Sequence, residues 1–253
     1  MKIFNRVIPV LLLVGNGVYK TKNFKNPQYI GDPINAVKIF NEKEVDEIII
    51  IDILATSNNR EINYDLINDI ASEAFIPICY GGGIKNIKQI TKLLKIGIEK
   101  VCINNAALNN IEFVNKAAKD FGSSTIVGSI DTKKNLFGKN FVYSNRGIKN
   151  TGIDALKFSK HLENNGVGEL LITSIDKEGS FKGYEIDILK NISEQVNIPV
   201  IANGGAGRLD DMKKVLVEAK VSAVAAGSLF VYYGRHNAVL INYPDRLIIE
   251  NLV

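Results

Sequence analysis

A chain of 253 residues, 46% of them hydrophobic, is long enough to bury one extended α/β core. A formal charge of +4 excludes a charge-driven grip on nucleic acid and leaves room at most for small anionic ligands. No apolar run reaches the ~20 residues of a membrane span, and Val7 to Val14 is too short, and lacks the small-residue cleavage pattern, for a signal peptide. The sequence therefore predicts a cytoplasmic protein.

Apolar runs at 7–14, 47–52, 76–80, 100–104, 125–130, 169–174, 198–202 and 222–227 read as buried strands. Amphipathic runs at about 33–43, 62–73, 86–96, 110–120, 152–165, 185–195 and 208–219 read as helices between them. Buried strands alternating with helices imply parallel pairing through right-handed crossovers. Eight such units predict an α/β fold, a closed (βα)8 TIM barrel occupying 1–253 as one domain; an open doubly wound sheet is the alternative. Two segments after strands are long, 16–32 with Lys20 and Lys22 beside Phe24, and 132–152 with Lys133, Lys134, Lys139 and Arg146. Barrel sites form at the carboxyl ends of strands, so both are lid candidates, read as loops. After Phe230, Pro244 and the apolar run Ala238–Ile241 predict a shortened closure instead of a full eighth helix. Cys79 and Cys102 fall inside strand candidates and read as core packing in a reducing compartment, with no disulfide and no metal site. His161 and His236 stand far apart in sequence, and neither reads as catalytic.

The chain repeats itself. Ile76-Pro-Ile-Cys-Tyr-Gly-Gly-Gly returns as Ile198-Pro-Val-Ile-Ala-Asn-Gly-Gly. The same offset carries Glu47 to Glu169, Asn105 to Gly227, and the stripe Ile87, Ile90, Leu93, Leu94 to Leu209, Met212, Val215, Leu216. The barrel is thus expected to be two repeated half-barrels. Glycine turns after a strand let backbone N–H groups approach an anion, which predicts phosphate binding at the two turns.

Arg6-Val-Ile-Pro, Gly31-Asp-Pro, Asp52-Ile, IPICYGGGI, Lys100-Val-Cys-Ile-Asn, Ser129-Ile-Asp131, Asn150-Thr-Gly, Glu169-Leu-Leu-Ile-Thr-Ser-Ile-Asp and IPVIANGGAG together span nearly the whole chain. With these pieces it resembles the cyclase (synthase) subunit of imidazole glycerol phosphate synthase. That resemblance implies a (βα)8 barrel that takes ammonia from a glutaminase partner docked at its amino-terminal face. It implies reaction of that ammonia with a bisphosphorylated ribulosyl-formimino nucleotide in a lyase and cyclisation step, with no cofactor and no metal. Carried over residue by residue, it makes Asp131 catalytic. Gly82, Gly83, Asn104 and Asn105 become the phosphate positions of one half, and Asn203, Gly204, Gly205, Gly227 and Ser228 those of the other. Lys20, Asp52, Thr173 and Asp176 join them as substrate positions, and the family's second acidic residue after Thr173 falls on Glu178. Arg6, Glu47, Lys100 and Glu169 match four charges that gate the ammonia passage.

One departure matters most. The family's first strand carries a second catalytic carboxylate where this chain has Leu12, and leucine transfers no proton. The pattern, with the tail Leu240-Ile-Asn-Tyr-Pro244, is similar to divergent paralogues associated with amidation of surface-polysaccharide sugars. In those, ammonia passes on to a third, amide-forming protein. Two alternatives stay open: a working cyclase with Asp52 or Asp176 as substitute acid, and a non-catalytic scaffold that activates the glutaminase.

Overall fold

A computed structural model describes residues 5–252. Eight parallel strands close on themselves: β1 (Arg6–Val14), β2 (Ile48–Asp52), β3 (Ile78–Gly81), β4 (Lys100–Ile103), β5 (Ile126–Lys134), β6 (Glu169–Ser174), β7 (Val200–Asn203) and β8 (Ala223–Ala226). Each pairs with the next, and β8 returns to β1 with Arg6 opposite Ala223. Helices lie between the strands, at Pro33–Glu42, Tyr64–Glu73, Ile87–Ile96, Ile111–Phe121, Ala155–Asn164, Ile186–Ser193 and Leu209–Ala219. The fold is the (βα)8 barrel that the alternation predicts, and the open sheet is excluded by closure.

Side-chain alternation along the strands builds two cores. Val7, Leu11 and Leu13 of β1 face outward and pack under the helices. Ile8, Val10 and Leu12 face the axis, where they meet Ile49, Cys79, Cys102, Val127, Leu171, Ile201, Ala223 and Ala225. Arg6 shares the parity of the inward set, which brings its side chain to the lower end of the axis. The repeat is visible in the ladder. β3 and β7 both begin one residue after a proline, which has no N–H to give. The Pro77 and Pro199 carbonyls accept instead from Ile48 and Leu170, each at 2.9 Å. The predicted strands at 76–80 and 198–202 are shifted for that reason.

Neither long segment is a plain loop. Residues 16–32 form a hairpin, Gly17–Lys22 against Lys25–Gly31, whose first strand pairs with β1. After β5, Asn140–Ser144 and Lys149–Asp154 extend the sheet as an antiparallel ribbon. The turns use left-handed residues, Asn23 and Phe24 in the first and Asn145 and Arg146 in the second. Both ribbons rise from carboxyl ends of strands, one in each half-barrel.

The closure is short, as expected. After β8 come a helical turn at Ser228–Val231, a small pairing of Tyr232–Tyr233 with Ala238–Val239, and a helix at Arg246–Glu250. Tyr243 ties this tail to the barrel, donating to the Val7 carbonyl at 2.9 Å while its ring packs on Phe40 and Phe230. No helix among the described residues is long and apolar enough to cross a membrane.

Candidate active site

A cavity of about 290 Å³ opens at the carboxyl ends of the strands. Asp52, Asp131, Thr173 and Asn203 reach it from the tips of β2, β5, β6 and β7, and the glycine turns supply backbone around its rim. Gly82, Gly83, Gly204 and Gly205 all take positive φ, and a Cβ on Gly82 or Gly205 would overlap the carbonyl oxygen of Asp52 or Gly183. Only glycine fits there, which explains why both halves keep it. Asn104, Asn105, Gly227 and Ser228 also line the cavity.

Two lysines and an arginine border this space differently. Lys20 descends from the first hairpin until its ammonium lies against Gly227, where no side chain could sit beside it. Burial lowers its pKa from the ordinary lysine value, and the Glu178 carboxylate acts in the opposite sense. Arg146 reaches the cavity from the second ribbon, and Lys85 from the turn after β3.

Asp131 accepts a hydrogen bond from Asn104 Nδ2 at 3.0 Å. Burial pushes its carboxyl up to about 7, and the Asn104 bond offsets only part of that. A carboxyl poised there can give or take a proton near neutrality. Across the cavity Leu12 presents a hydrocarbon wall, 9% exposed, with Val10, Ile51 and Cys102 around it. Asp52 is committed elsewhere. It accepts from the Leu54 and Ala55 N–H groups at 3.0 Å each and holds Arg60 Nη2 at 3.2 Å through both oxygens. Nothing in the sequence pattern singled out Arg60, eight residues beyond its partner in an irregular segment.

Asp176 lies outside the cavity lining. Its carboxylate faces the second ribbon, 3.8 Å from Lys133 Nζ and accepting from the Lys134 N–H at 3.4 Å. Glu178 does line the cavity, but both its carboxylate oxygens are taken by the first hairpin, from Thr21 and Phe24.

At the other end of the axis the structure brings Arg6, Glu47, Lys100 and Glu169 into one ring. Arg6 donates to Glu47 at 2.7 Å and to Glu169 through its other terminal nitrogen. Lys100 donates to Glu47 at 2.8 Å and to Glu169 at 3.0 Å. Burial alone would lower the pKa of both cations; the two carboxylates outweigh it and hold Arg6 and Lys100 above their ordinary values. The ring is uneven. Glu169 uses both oxygens, whereas Glu47 receives both cations on Oε2 and its buried Oε1 has no partner among the described residues. Between ring and cavity lies the axial core, aliphatic except for the two cysteine sulfurs.

Residues 6–237 match the family model described as histidine biosynthesis protein. The chain belongs to that family. A Pseudomonas aeruginosa relative, provisionally named imidazole glycerol phosphate synthase subunit hisF2, is 50% identical over 240 residues, covering 95% of this chain and 96% of its own. A Vibrio vulnificus relative, provisionally named subunit hisF3 of the same synthase, is 44% identical over 242 residues, 95% of this chain and 93% of its own. The Lactococcus lactis protein named imidazole glycerol phosphate synthase subunit HisF is 42% identical over 228 residues, 90% and 88% respectively. The resemblance drawn from the motifs is thus shown over almost the full chain, and this chain is a HisF-type synthase subunit.

Proposed function

We propose that this HisF-type subunit is a cytoplasmic ammonia-conducting barrel whose own cyclase step is crippled. Ammonia released by a glutaminase partner docked at the amino-terminal face enters through the ring of Arg6, Glu47, Lys100 and Glu169. It crosses the axial core and emerges at the cavity. There the ammonia serves an acceptor held by a third, amide-forming protein, in the manner of the paralogues that amidate a surface-polysaccharide sugar.

The observation that carries this reading is Leu12. A two-carboxylate site needs one group to protonate and another to deprotonate, and the wall opposite Asp131 is hydrocarbon. Neither substitute acid is free for the task. Asp52 is paired with Arg60 and bound by two backbone N–H groups, and Asp176 is turned toward the ribbon lysines. The glycine turns, with Lys20 against Gly227, support a phosphorylated small molecule as the cavity's ligand even where the chemistry is reduced.

The test is purification of the chain with its glutaminase, followed by two assays. Glutamine hydrolysis should rise in the complex. Turnover of the ribulosyl-formimino bisphosphate should fall about 10²–10⁴-fold below that of a family member with both carboxylates, the usual cost of a missing acid or base. Full cyclase turnover with Leu12 in place would refute the reading in favour of histidine biosynthesis. Absence of any effect on glutamine hydrolysis would refute the glutaminase partnership itself.

A further inference from the structure

One short loop, Ile175 to Gly179, holds both ribbons over the cavity. The Glu178 carboxylate accepts from Thr21 Oγ1 at 3.0 Å and from the Phe24 N–H at 3.1 Å. Its backbone carbonyl accepts from the Asn23 N–H at 2.9 Å. Asn23 replies with its side chain, donating to the carbonyls of Ile175 at 3.0 Å and Asp176 at 2.8 Å. Gly179 seats so closely under the hairpin that a Cβ would overlap the Thr21 carbonyl oxygen. Two residues before Glu178, Asp176 turns to the other ribbon, toward Lys133 and the Lys134 N–H. Phe24 spans the gap, close enough that a Cβ on Gly147 would come within 3.2 Å of its ring.

Glu178 is buried, yet both donors to its carboxylate come from the hairpin and neither from its own loop. The hairpin tip needs that support. Asn23 and Phe24 are both left-handed, at φ 52° and 62°, a conformation that an aromatic side chain disfavours unless its surroundings hold it. The Phe24 N–H bond to Glu178 and the Asn23 bonds supply the hold. Lys20 immediately precedes Thr21, so the same bonds that pin Thr21 fix where the lysine ammonium can go.

We propose that Glu178 is a positioning residue: a clasp that closes the hairpin of residues 17–31 on the cavity and so sets the Lys20 ammonium against Gly227. This goes beyond the ammonia reading and does not rest on it. The family's second acidic residue after Thr173 falls on Glu178, and here its carboxylate is spent on the lid.

Lys22 and Lys25 are exposed at the hairpin tip, which makes trypsin a direct probe. The full chain would be compared with Glu178→Gln, Glu178→Ala and Thr21→Val by limited trypsin digestion, with cleavage after Lys22 and Lys25 followed by mass spectrometry. Acylation of Lys20 by a small anhydride, read by the same peptides, reports the position of the ammonium. Glu178→Ala should raise both tip cleavage and Lys20 acylation at least tenfold. Glu178→Gln still accepts through its amide oxygen and should restore most of the protection, with the melting temperature little changed in both. Thr21→Val removes a donor without touching the loop and should move both readouts in the same direction; it carries the test if Glu178→Ala fails to fold. Unchanged cleavage would overturn the clasp. Raised cleavage with Lys20 acylation unchanged would overturn the positioning role.

Discussion

Removing the Lys100 ammonium, as Lys100→Met, should unbalance the axial ring in a measurable way. Glu47 and Glu169 are 2% and 5% exposed and share two cations. Without Lys100, two buried carboxylates face Arg6 alone, and the ring passes from neutral to one negative charge. Breaking a fully buried pair by removing one partner costs about 3–5 kcal/mol. Here the Lys100 side chain keeps 21% exposure and Arg6 stays bonded to both carboxylates, so the cost should be lower, about 2–3 kcal/mol. For a chain of this size that lowers the melting temperature by about 4–12 °C.

The double variant Lys100→Met with Glu169→Gln leaves Arg6 facing Glu47, neutral again. It should recover part of the loss, giving a coupling of about 1 kcal/mol or more in a double-mutant cycle. Because the Lys100 pKa is raised above the ordinary lysine value, its stabilising contribution is fully present below the unfolded value. That contribution is lost only as the pH climbs through the still higher folded one. The effect of the substitution should therefore be constant across neutral pH. Scanning calorimetry and urea titration of wild type, the single variants Lys100→Met and Glu169→Gln, and the double variant measure it, and the glutaminase complex supplies a functional readout, glutamine hydrolysed per amide formed. A melting temperature within about 1 °C of wild type, or additive single effects, would refute the claim that these charges depend on one another.

Asp131→Asn should remove a pH dependence. With the folded carboxyl near 7 and an unfolded value near ~3.9, wild-type stability is greatest below the unfolded value and falls as pH rises through the folded one. The variant should lack that fall and be more stable than wild type at pH ~8, as urea midpoints across pH would show. Phe75 stands 91% exposed before β3, its N–H held by Asn41 Oδ1 at 3.2 Å while the Asn41 amide donates to the Glu73 carbonyl. Phe75→Ser should weaken glutaminase binding about tenfold or more without loss of stability, since rigid exposed aromatics make interface anchors; equal affinity by calorimetry would exclude it as one. The Cys102 thiol beside it, and burial, hold the Cys79 thiol well above its ordinary pKa. Both cysteines should resist iodoacetamide in the native state and react at once in denaturant; rapid native labelling would contradict the packed axis.

The barrel was legible because its evidence is redundant. Eight apolar runs, a repeated turn and matching helical stripes all point to one closure, and Ile90, Leu93, Met212 and Val215 are buried as their spacing demands. The charge ring was legible only in part. A charge before a buried strand marks a strand end, and parity with Ile8, Val10 and Leu12 places Arg6 on the axis, but the pairing among the four depends on closure distances that no local pattern carries. The ribbons were not legible. Their strands carry no long apolar run, and their turns use Asn23-Phe24 and Asn145-Arg146 in place of the Asn-Gly signal that marks a hairpin. Asp176 and Glu178 illustrate the same limit: two acids of one loop turn to opposite ribbons, a choice set by the ribbons themselves.

Leu12 gives the sharpest separation of the readings, because it lines the same cavity as Asp131, Lys20 and the glycine turns. It sits in register with Ile51 on β2 and Tyr19 on the first hairpin, and its inward neighbours are Val10, Ile51 and Cys102. A carboxyl introduced by Leu12→Asp would lose water without gaining an evident donor, and it would share the cavity with Asp131, whose own carboxyl is already raised. The variant should therefore be less stable than wild type by about 2–4 kcal/mol at neutral pH, from lost apolar burial and the cost of the new polar group. Its new carboxyl should stay protonated to higher pH than an exposed aspartate, which suits a general acid. If the missing acid is the principal defect, cyclase turnover of the ribulosyl-formimino bisphosphate rises at least about tenfold despite the lower stability. The added Leu12→Asn comparison separates charge from shape, since it brings a similar volume with no acid to titrate. Equal rates for the two variants would mean that Leu12 belongs to a cavity rebuilt for another acceptor, and that the turns and Lys20 serve that ligand instead.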